Sequence, residues 1–87
     1  NNAVFLSSLG LSHLRLKQFD LAIEAFTKAI EKKPNLINPY IDMGTCYFYK
    51  EDYEKAYDFY SQALKIDPRN QTAQQYYTMT KKILRNK

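Results

Sequence analysis

The sequence predicts an all-α protein made of two tandem helical hairpins followed by one further helix. Three observations support this fold class: an internal repeat of 34 residues, apolar side chains at three- and four-residue steps, and only two Gly and three Pro among 87 residues. The 45% hydrophobic content excludes a disordered chain, and the length leaves little room for a deep substrate cavity. A large enzyme is therefore not expected.

The repeat becomes visible when residues 3–36 are aligned with residues 37–70. Large side chains recur at matching places, for example Phe26 with Tyr60. Four pairs of equivalent positions are identical, namely Gly10 with Gly44, Ala22 with Ala56, Ala29 with Ala63, and Pro34 with Pro68. Because a fixed period of this length indicates stacked helical repeats, we interpret 3–36 and 37–70 as two repeats, followed by one further helix.

The first repeat predicts two helices, which span about 3–16 and 19–32. The apolar face of the first carries Leu6, Leu9, His13 and Leu16. The apolar face of the second carries Phe19, Ala22, Ile23, Phe26, Ala29 and Ile30. Pro34 disfavours a helical residue before it, so the second helix is expected to end there.

The rest of the chain predicts three more helices, which span about 40–50, 53–66 and 71–84. Asn38 followed by Pro39 is a suitable cap and first-turn pair for the third helix, because Pro lacks only a donor that has no partner there. Asn70 can cap the fifth helix. The apolar positions of this last helix are Ala73, Tyr76, Tyr77, Ile83 and Leu84.

Small residues are predicted at the contacts between helices. If the helices of each copy are antiparallel, Gly10 and Gly44 face Ala22 and Ala56 and let the two backbones approach closely. The same role, against the first helix of the next copy, is predicted for Ala29 and Ala63.

These positions resemble the tetratricopeptide repeat family, whose pattern is W-x2-L-G-x2-Y, then A-x3-F, then P, over 34 residues. The first copy reads Leu6-x2-Leu9-Gly10-x2-His13, then Ala22-x3-Phe26, then Pro34. The second copy reads Tyr40-x2-Met43-Gly44-x2-Tyr47, then Ala56-x3-Tyr60, then Pro68. The departures from the pattern, which leave its register intact, are Leu6, His13 and Tyr40.

The resemblance implies a right-handed superhelix of helical hairpins, an α-α solenoid, whose first helices line a concave groove for a peptide segment or a helix of a partner protein. Residues 71–87 resemble the extra helix that closes such arrays, so they are expected to form a C-terminal capping helix. The implied function is that of a protein-protein interaction scaffold. The groove positions carried over from the family are Val4, Ser7, Leu11, Leu14, Arg15, Asn38, Ile41, Thr45, Phe48, Tyr49, Thr72, Gln75, Met79, Lys82 and Ile83.

Within this set Tyr49 is the expected contact anchor, because its amphipathic ring suits a binding hot spot. For Leu14, Phe48 and Ile83 partial burial between the repeats is an equally weighted alternative. The apolar members together predict a hydrophobic patch, and such patches mark interaction sites.

Family members that grip the carboxyl tails of heat-shock chaperones use Lys, Asn and Arg side chains at five groove positions. The equivalent residues here are Ser7, Leu11, Asp42, Thr72 and Tyr76, none of which matches. Asp42 would moreover repel a terminal carboxylate. Binding of chaperone tails is therefore not expected.

The sequence offers few residues for catalysis or cofactor binding. His13 is the only histidine and occupies a packing position, and Cys46 is the only cysteine and suits a small buried site. Neither residue has the neighbours that a metal site needs, and no Gly-rich phosphate loop is present. We expect no cofactor, no metal and no enzymatic activity.

The net charge of +4 arises entirely from residues 81–87, since the remainder carries nine charges of each sign. A basic end suits the helix dipole, so nucleic-acid binding is not expected, although an RNA-binding helical repeat is kept as the second hypothesis. A third hypothesis is a structural segment of a longer superhelix without its own ligand, as the start without Met is typical of an excised piece.

Three expectations concern the surroundings of the chain. No apolar run is long enough to cross a bilayer, and the single Cys favours a reducing compartment, so an intracellular, cytoplasmic location is expected. An uncovered first helix would expose Leu9 and Leu16. The chain could then self-associate through this face.

Overall fold

The computed structural model describes residues 2–86, and within this range it contains five α-helices and no strand. The helices are α1 (Ala3–Arg15), α2 (Phe19–Lys32), α3 (Ile37–Tyr49), α4 (Tyr53–Ile66) and α5 (Gln71–Arg85). The predicted all-α fold class is confirmed. Lys87, which the sequence analysis assigned to the last helix, lies outside the described residues. Across 2–86 no helix has both the length and the apolar content that a membrane span requires.

The tight turns that close the two hairpins share one backbone conformation. Lys17 and Glu51 occupy equivalent places in the repeats and have φ angles of 62° and 64°, in the left-handed region. In the second turn the Asp52 amide donates to the Tyr47 carbonyl oxygen at 2.9 Å, which is the bond of a Schellman motif. Each first helix therefore ends abruptly, and the second helix of the hairpin starts within a few residues of it.

The helix starts agree with the sequence in one case and differ in another. Asn70 caps α5 as predicted, since its side-chain oxygen accepts from the Ala73 amide at 2.9 Å. The prediction that Asn38 caps α3 was wrong, because α3 begins at Ile37 without a side-chain cap. Asn38 and Pro39 lie in its first turn, where a missing backbone donor costs nothing.

A glycine against an aromatic ring holds each hairpin together. A Cβ atom on Gly10 would lie 2.7 Å from Cε1 of Phe26, and one on Gly44 would lie 2.7 Å from Cε1 of Tyr60. Both rings are fully buried. Any side chain at either glycine would have to displace the ring, so the two glycines set how closely the paired helices approach.

This arrangement corrects one predicted contact and fits another. The rings of Phe26 and Tyr60, not Ala22 and Ala56, provide the atoms nearest to the glycines, because these rings extend across the gap between the helices. Both alanines are nevertheless fully buried. Ala63 packs in one cluster with Ala73 of the next first helix, in line with its expected place between repeats.

Two buried clusters join the successive hairpins, because α2 packs on α3 and α4 packs on α5. The cluster between α2 and α3 contains Ala22, Phe26, Met43 and Cys46. The cluster among α3, α4 and α5 contains Tyr40, Ile41, Ala56, Tyr60, Ala63 and Ala73. The middle helix α3 contributes to both clusters, so the repeats share one continuous core.

Tyrosine pairs fasten α4 to α5 and account for part of the high Tyr content. The rings of Tyr57 and Tyr77 stack with centroids 4.9 Å apart, and their hydroxyl groups hydrogen-bond at 2.9 Å. The hydroxyl of Tyr77 thereby raises the pKa of Tyr57. Tyr60 and Tyr76 stack with centroids 5.5 Å apart. Such pairs add stabilisation beyond the buried area itself.

We expect Gly44→Leu to lower the free energy of unfolding by about 1–3 kcal/mol, because the new side chain must displace the Tyr60 ring. This loss should exceed the gain of about 1 kcal/mol that replacement of Gly brings to a helix. Urea unfolding followed by circular dichroism measures the difference. Thr78→Leu is the matched control, because Thr78 is the exposed residue at the equivalent place in α5, and it should change stability by less than about 0.5 kcal/mol. Equal effects of the two substitutions would contradict the glycine–ring account.

Candidate functional site

Two hollows lie between the first helices of the two repeats, α1 and α3. The Asp42 hollow, near the starts of both helices, has a volume of about 460 Å³, and its main lining residues are Val4, Ser7, Leu11, Ile37, Asn38 and Asp42. The Tyr49 hollow, near their ends, has a volume of about 490 Å³ and is lined by Leu14, Arg15, Lys17, Phe19, Thr45 and Tyr49. Both volumes fall in the range of ligand sites, about 300–1,000 Å³.

Two polar groups without internal partners lie in the Asp42 hollow. The Ser7 hydroxyl oxygen is buried and makes no hydrogen bond within residues 2–86. Asp42 likewise has no hydrogen bond or salt bridge to these residues. Burial raises the pKa of Asp42 to about 6, and the Arg15 charge offsets part of that rise. The carboxyl group is thus ionised at neutral pH in a place that disfavours its charge.

The Tyr49 hollow combines aromatic surface with positive charge. The ring of Tyr49 is 60% exposed and stacks on Phe19 of α2, with centroids 5.7 Å apart. This contact between the repeats holds the ring in place while leaving much of it open to solvent. Arg15 and Lys17 are exposed and lie beside it. The hollow can therefore take an apolar side chain and an acidic group next to it.

One face of α3 supplies residues to both hollows. Asn38, Asp42, Thr45 and Tyr49 follow one another at steps of four, three and four residues, so they share a helical stripe. Thr45 is fixed on this stripe, since its hydroxyl donates to the Ile41 carbonyl oxygen at 2.9 Å. Asp42 was predicted only as the equivalent of a chaperone-clamp position and was left out of the main groove set, although this spacing places it on the same stripe.

The structure brings together eight of the predicted groove residues in the two hollows: Val4, Ser7, Leu11 and Asn38 in the first, and Leu14, Arg15, Thr45 and Tyr49 in the second. The lining residues outside the predicted groove set are Ser8, Lys17, Phe19, Leu36, Ile37, Pro39 and, apart from its clamp-equivalent position, Asp42. The lining residues of α2 and of the loop before α3 were not predicted, because the family pattern assigns groove positions to the first helices.

Ile41 and Phe48 are corrections to the predicted groove. Ile41 is only 6% exposed, because it packs in the cluster among α3, α4 and α5. Phe48 is half-buried, and its ring makes edge contacts with Tyr53 and Tyr76. The alternative of burial between the repeats is the one that holds for Phe48. Both side chains support the groove wall and line neither hollow.

The predicted residues of α5 lie away from both hollows. Gln75, Met79 and Lys82 line a separate, open hollow on α5 itself. Thr72, which is exposed, and Ile83, which is half-buried, line none of these hollows. The α1–α3 groove is therefore built without the last helix.

His13 and Cys46 occupy structural positions. The His13 ring nitrogen Nδ1 hydrogen-bonds the Gln18 side-chain oxygen at 2.8 Å, across the turn between α1 and α2. Cys46 is a free, fully buried cysteine, and burial raises the pKa of its thiol to about 12. A thiol this weakly acidic is a poor nucleophile. Within residues 2–86 no three His, Cys, Asp or Glu side chains come together as metal ligands.

Comparison with known proteins identifies the repeat. The protein-family model for the tetratricopeptide repeat matches residues 3–36 and 37–70. The human "Tetratricopeptide repeat protein 6" is 30% identical over 83 residues, which make up 95% of this chain and 16% of that protein. The "General transcriptional corepressor ssn6" of Schizosaccharomyces pombe is 38% identical over 76 residues, 83% of this chain and 7% of that protein. The chain thus spans a small part of either relative.

Among solved structures, the "First TPR of Spaghetti (RPAP3) bound to HSP90 peptide SRMEEVD" superimposes with a TM-score of 0.91. The two chains are 23% identical, and the match covers 95% of this chain and 66% of the other. At this identity the likeness concerns the fold.

We expect Asp42→Asn to raise the free energy of unfolding at neutral pH by about 1–2 kcal/mol, a value reduced for partial exposure of the carboxyl group. The folded-state pKa of about 6 lies above the ordinary value of 3.8, so the folded chain binds more protons between these limits. Wild-type stability therefore falls as pH rises through this window.

Urea titrations of both chains across the pH range test this expectation. The advantage of Asp42→Asn should vanish below about pH 4, where Asp42 is protonated in both states. Asp58→Asn, which alters an exposed carboxylate on α4, is the matched control and should show no such window. A constant advantage of Asp42→Asn at all pH values would show that burial of charge is not the cause.

Proposed function

Because the chain belongs to the tetratricopeptide repeat family, whose members are protein-protein interaction modules, we propose that it binds a peptide segment of a partner protein between α1 and α3. The observation that carries this proposal is the Tyr49 hollow, where a largely exposed aromatic ring is held by Phe19 beside Leu14. A rigid, amphipathic ring of this kind is the usual anchor of a binding surface. The contact residues are those of the Asp42 and Tyr49 hollows.

The positions of His13 and Cys46 argue against an enzyme. Catalysis would need a nucleophile or a base beside a group that orients it, and His13 and Cys46 are each occupied in packing. The reduced, buried thiol of Cys46 suits an intracellular, cytoplasmic chain. The third hypothesis, a segment without its own ligand, does not account for the open ring of Tyr49.

A nucleic-acid partner fits the charges less well. Lys81, Lys82 and Arg85 are exposed near the end of α5, away from both hollows. Their position matches the negative end of the helix dipole. A single-stranded RNA site would also need aromatic rings beside such charges for base stacking, and Tyr77, beside Lys81, is stacked on Tyr57 instead.

The two ends of the helix stack differ in polarity, and this difference supports two further proposals. On α5, exposed Gln71, Gln74 and Thr78 stand where the earlier first helices carry packing residues, so we assign α5 the role of a capping helix. On α1, Phe5 is 59% and Leu9 39% exposed. In α3 the positions equivalent to these two residues are buried, and Met43 is covered by α2.

The exposed apolar face of α1 therefore matches a surface that another helix covers within the same chain. In the isolated chain a second copy is the available apolar partner, so we propose self-association through this face. Sedimentation equilibrium should show mass rising with concentration, and the double substitution Leu9→Gln, Leu16→Gln should abolish the rise. Leu21→Gln, on an exposed leucine of α2, is the control. A monomeric wild type at high concentration would contradict the proposal.

We expect Tyr49→Ala to weaken peptide binding about tenfold or more, because it removes the ring of a central anchor. Random peptides displayed on phage are selected on the wild-type chain, and selected sequences are synthesised for titration. Ile66→Ala, on an exposed side chain of α4 outside the groove, should leave affinity unchanged. Failure to enrich any peptide, or equal losses in both variants, would contradict binding in this groove.

The synthetic peptide SRMEEVD tests chaperone-tail binding, since it is bound in the superimposed RPAP3 domain. We expect no saturable binding here, because Asp42 would face the acidic peptide and Ser7 and Leu11 provide no cation. Titration calorimetry at low salt, where attraction between charges is strongest, gives the most stringent test. Tight binding to the wild-type chain would overturn the expectation.

A further inference from the structure

The Asp42 hollow holds polar groups whose bonding capacity is not used within residues 2–86. The Ser7 hydroxyl oxygen is buried without a partner, and the Asp42 carboxylate has no hydrogen bond or salt bridge to these residues. Unsatisfied buried groups carry a cost, and in native proteins each of them calls for a specific explanation. Asn38 adds a third polar side chain to the same hollow.

The chemistry of these groups selects one kind of ligand. An ionised carboxylate only accepts hydrogen bonds, and the hydroxyl of Ser7 and the amide of Asn38 can accept as well. A ligand that satisfies them must therefore donate several hydrogen bonds, and a positive charge would also compensate the charge of Asp42. The ammonium of Lys and the guanidinium of Arg have both properties.

The walls of the hollow fit the rest of such a side chain. Val4, Leu11 and Ile37 line it with apolar surface next to the carboxylate. Lys and Arg bury their methylene stems along apolar surface while the charged end reaches a polar group. A single hollow thus provides apolar walls for the stem and a carboxylate for the charged end.

Within residues 2–86 no cation neutralises Asp42 by direct contact. Arg15 is near enough to lower the pKa of Asp42, but it lines the Tyr49 hollow and makes no salt bridge with Asp42. Besides burial, the charge of Asp42 raises the pKa values of the Cys46 thiol and the Tyr60 hydroxyl, but neither group carries a positive charge. A cation supplied by a ligand would therefore compensate the charge of Asp42.

We propose that the Asp42 hollow binds a Lys or Arg side chain of the peptide whose apolar side chain occupies the Tyr49 hollow. This inference rests on the proposed function and specifies the sequence that the groove selects. The groove would be acidic at the starts of α1 and α3 and basic at their ends, where Arg15 and Lys17 lie. A bound segment would carry its basic residue and its apolar residue in a fixed order.

Selection of random displayed peptides on the wild-type chain and on Asp42→Asn tests the inference. Peptides from the wild type should share a Lys or Arg at a constant distance from an apolar residue, and those from Asp42→Asn should lose the basic residue while keeping the apolar one. Asp42→Asn is expected to fold, since it removes a buried charge. Ser7→Ala is a second variant, with a smaller expected loss of the basic preference.

A thermodynamic cycle on one selected peptide gives the decisive measurement. Replacing its basic residue by Gln should weaken binding to the wild type about tenfold to a hundredfold, and binding to Asp42→Asn about twofold or less. Equal losses in the two chains would overturn the inference, and so would wild-type peptides without a shared basic residue. Peptides that still depend on Tyr49 in those cases leave the proposed function standing, whereas the absence of any enriched peptide overturns both.

The carboxyl carbon of Asp42 provides an independent readout by NMR. Binding of the selected peptide should lower the pKa of Asp42 below its free value of about 6, because a cation in contact favours the ionised form. The Gln-substituted peptide should leave the pKa unchanged or raise it. An unchanged pKa with the basic peptide bound would place that residue elsewhere and contradict the inference.

Discussion

The contact between a glycine of one helix and an aromatic ring of the next is the constraint on which the rest of this structure depends. Gly10 meets Phe26, and Gly44 meets Tyr60, at distances that leave no space for a side chain. Each ring fills the gap that its glycine leaves, so both helices of a hairpin bury their apolar faces together. The hairpins then pack through α2 on α3, and this packing places α1 beside α3.

The groove is a consequence of this packing. Because the inner faces of α1 and α3 are used against α2 and α4, a separate stripe of each helix is left facing the space between them. On α3 that stripe carries Asp42 and Tyr49, and only the second is supported by a contact across the repeats, the stack on Phe19. The two hollows therefore differ in character, since one contains a carboxylate that no cation among residues 2–86 contacts and the other contains an exposed ring held by a stack.

Most of the fold could be predicted from the sequence, because the residues that pack the helices recur at equivalent positions of both repeats. A glycine at both Gly10 and Gly44 can hardly be coincidental when the surrounding residues also match. The start of α3 could not be predicted, since Asn38 has the local signal of a cap, whereas the extended residue Leu36 takes the cap position and Ile37 packs against the cluster among α3, α4 and α5. At that position tertiary packing, and not the capping preference of Asn38, determines where the helix begins.

The site was less predictable for a related physical reason. Position in a helix indicates which face a residue occupies, but burial depends on the length of the neighbouring side chains. Ile41 was therefore expected in the groove, although the rings around it close over the side chain. Asp42 presents the opposite case. The sequence alone does not show that this acidic side chain is partly buried, because its burial depends on neighbours that only the fold brings together.

Asp42 is also the place where local stability and the proposed binding conflict. A half-buried carboxylate destabilises the folded chain at neutral pH, and neither Arg15 nor any other cation within 2–86 contacts it. Sequences generally agree with their folds at every level except where function imposes a cost. An Asn at this position would have nearly the same size and carry no charge. A charge that lowers the stability of the folded chain is thus an argument for the proposed basic ligand of the Asp42 hollow.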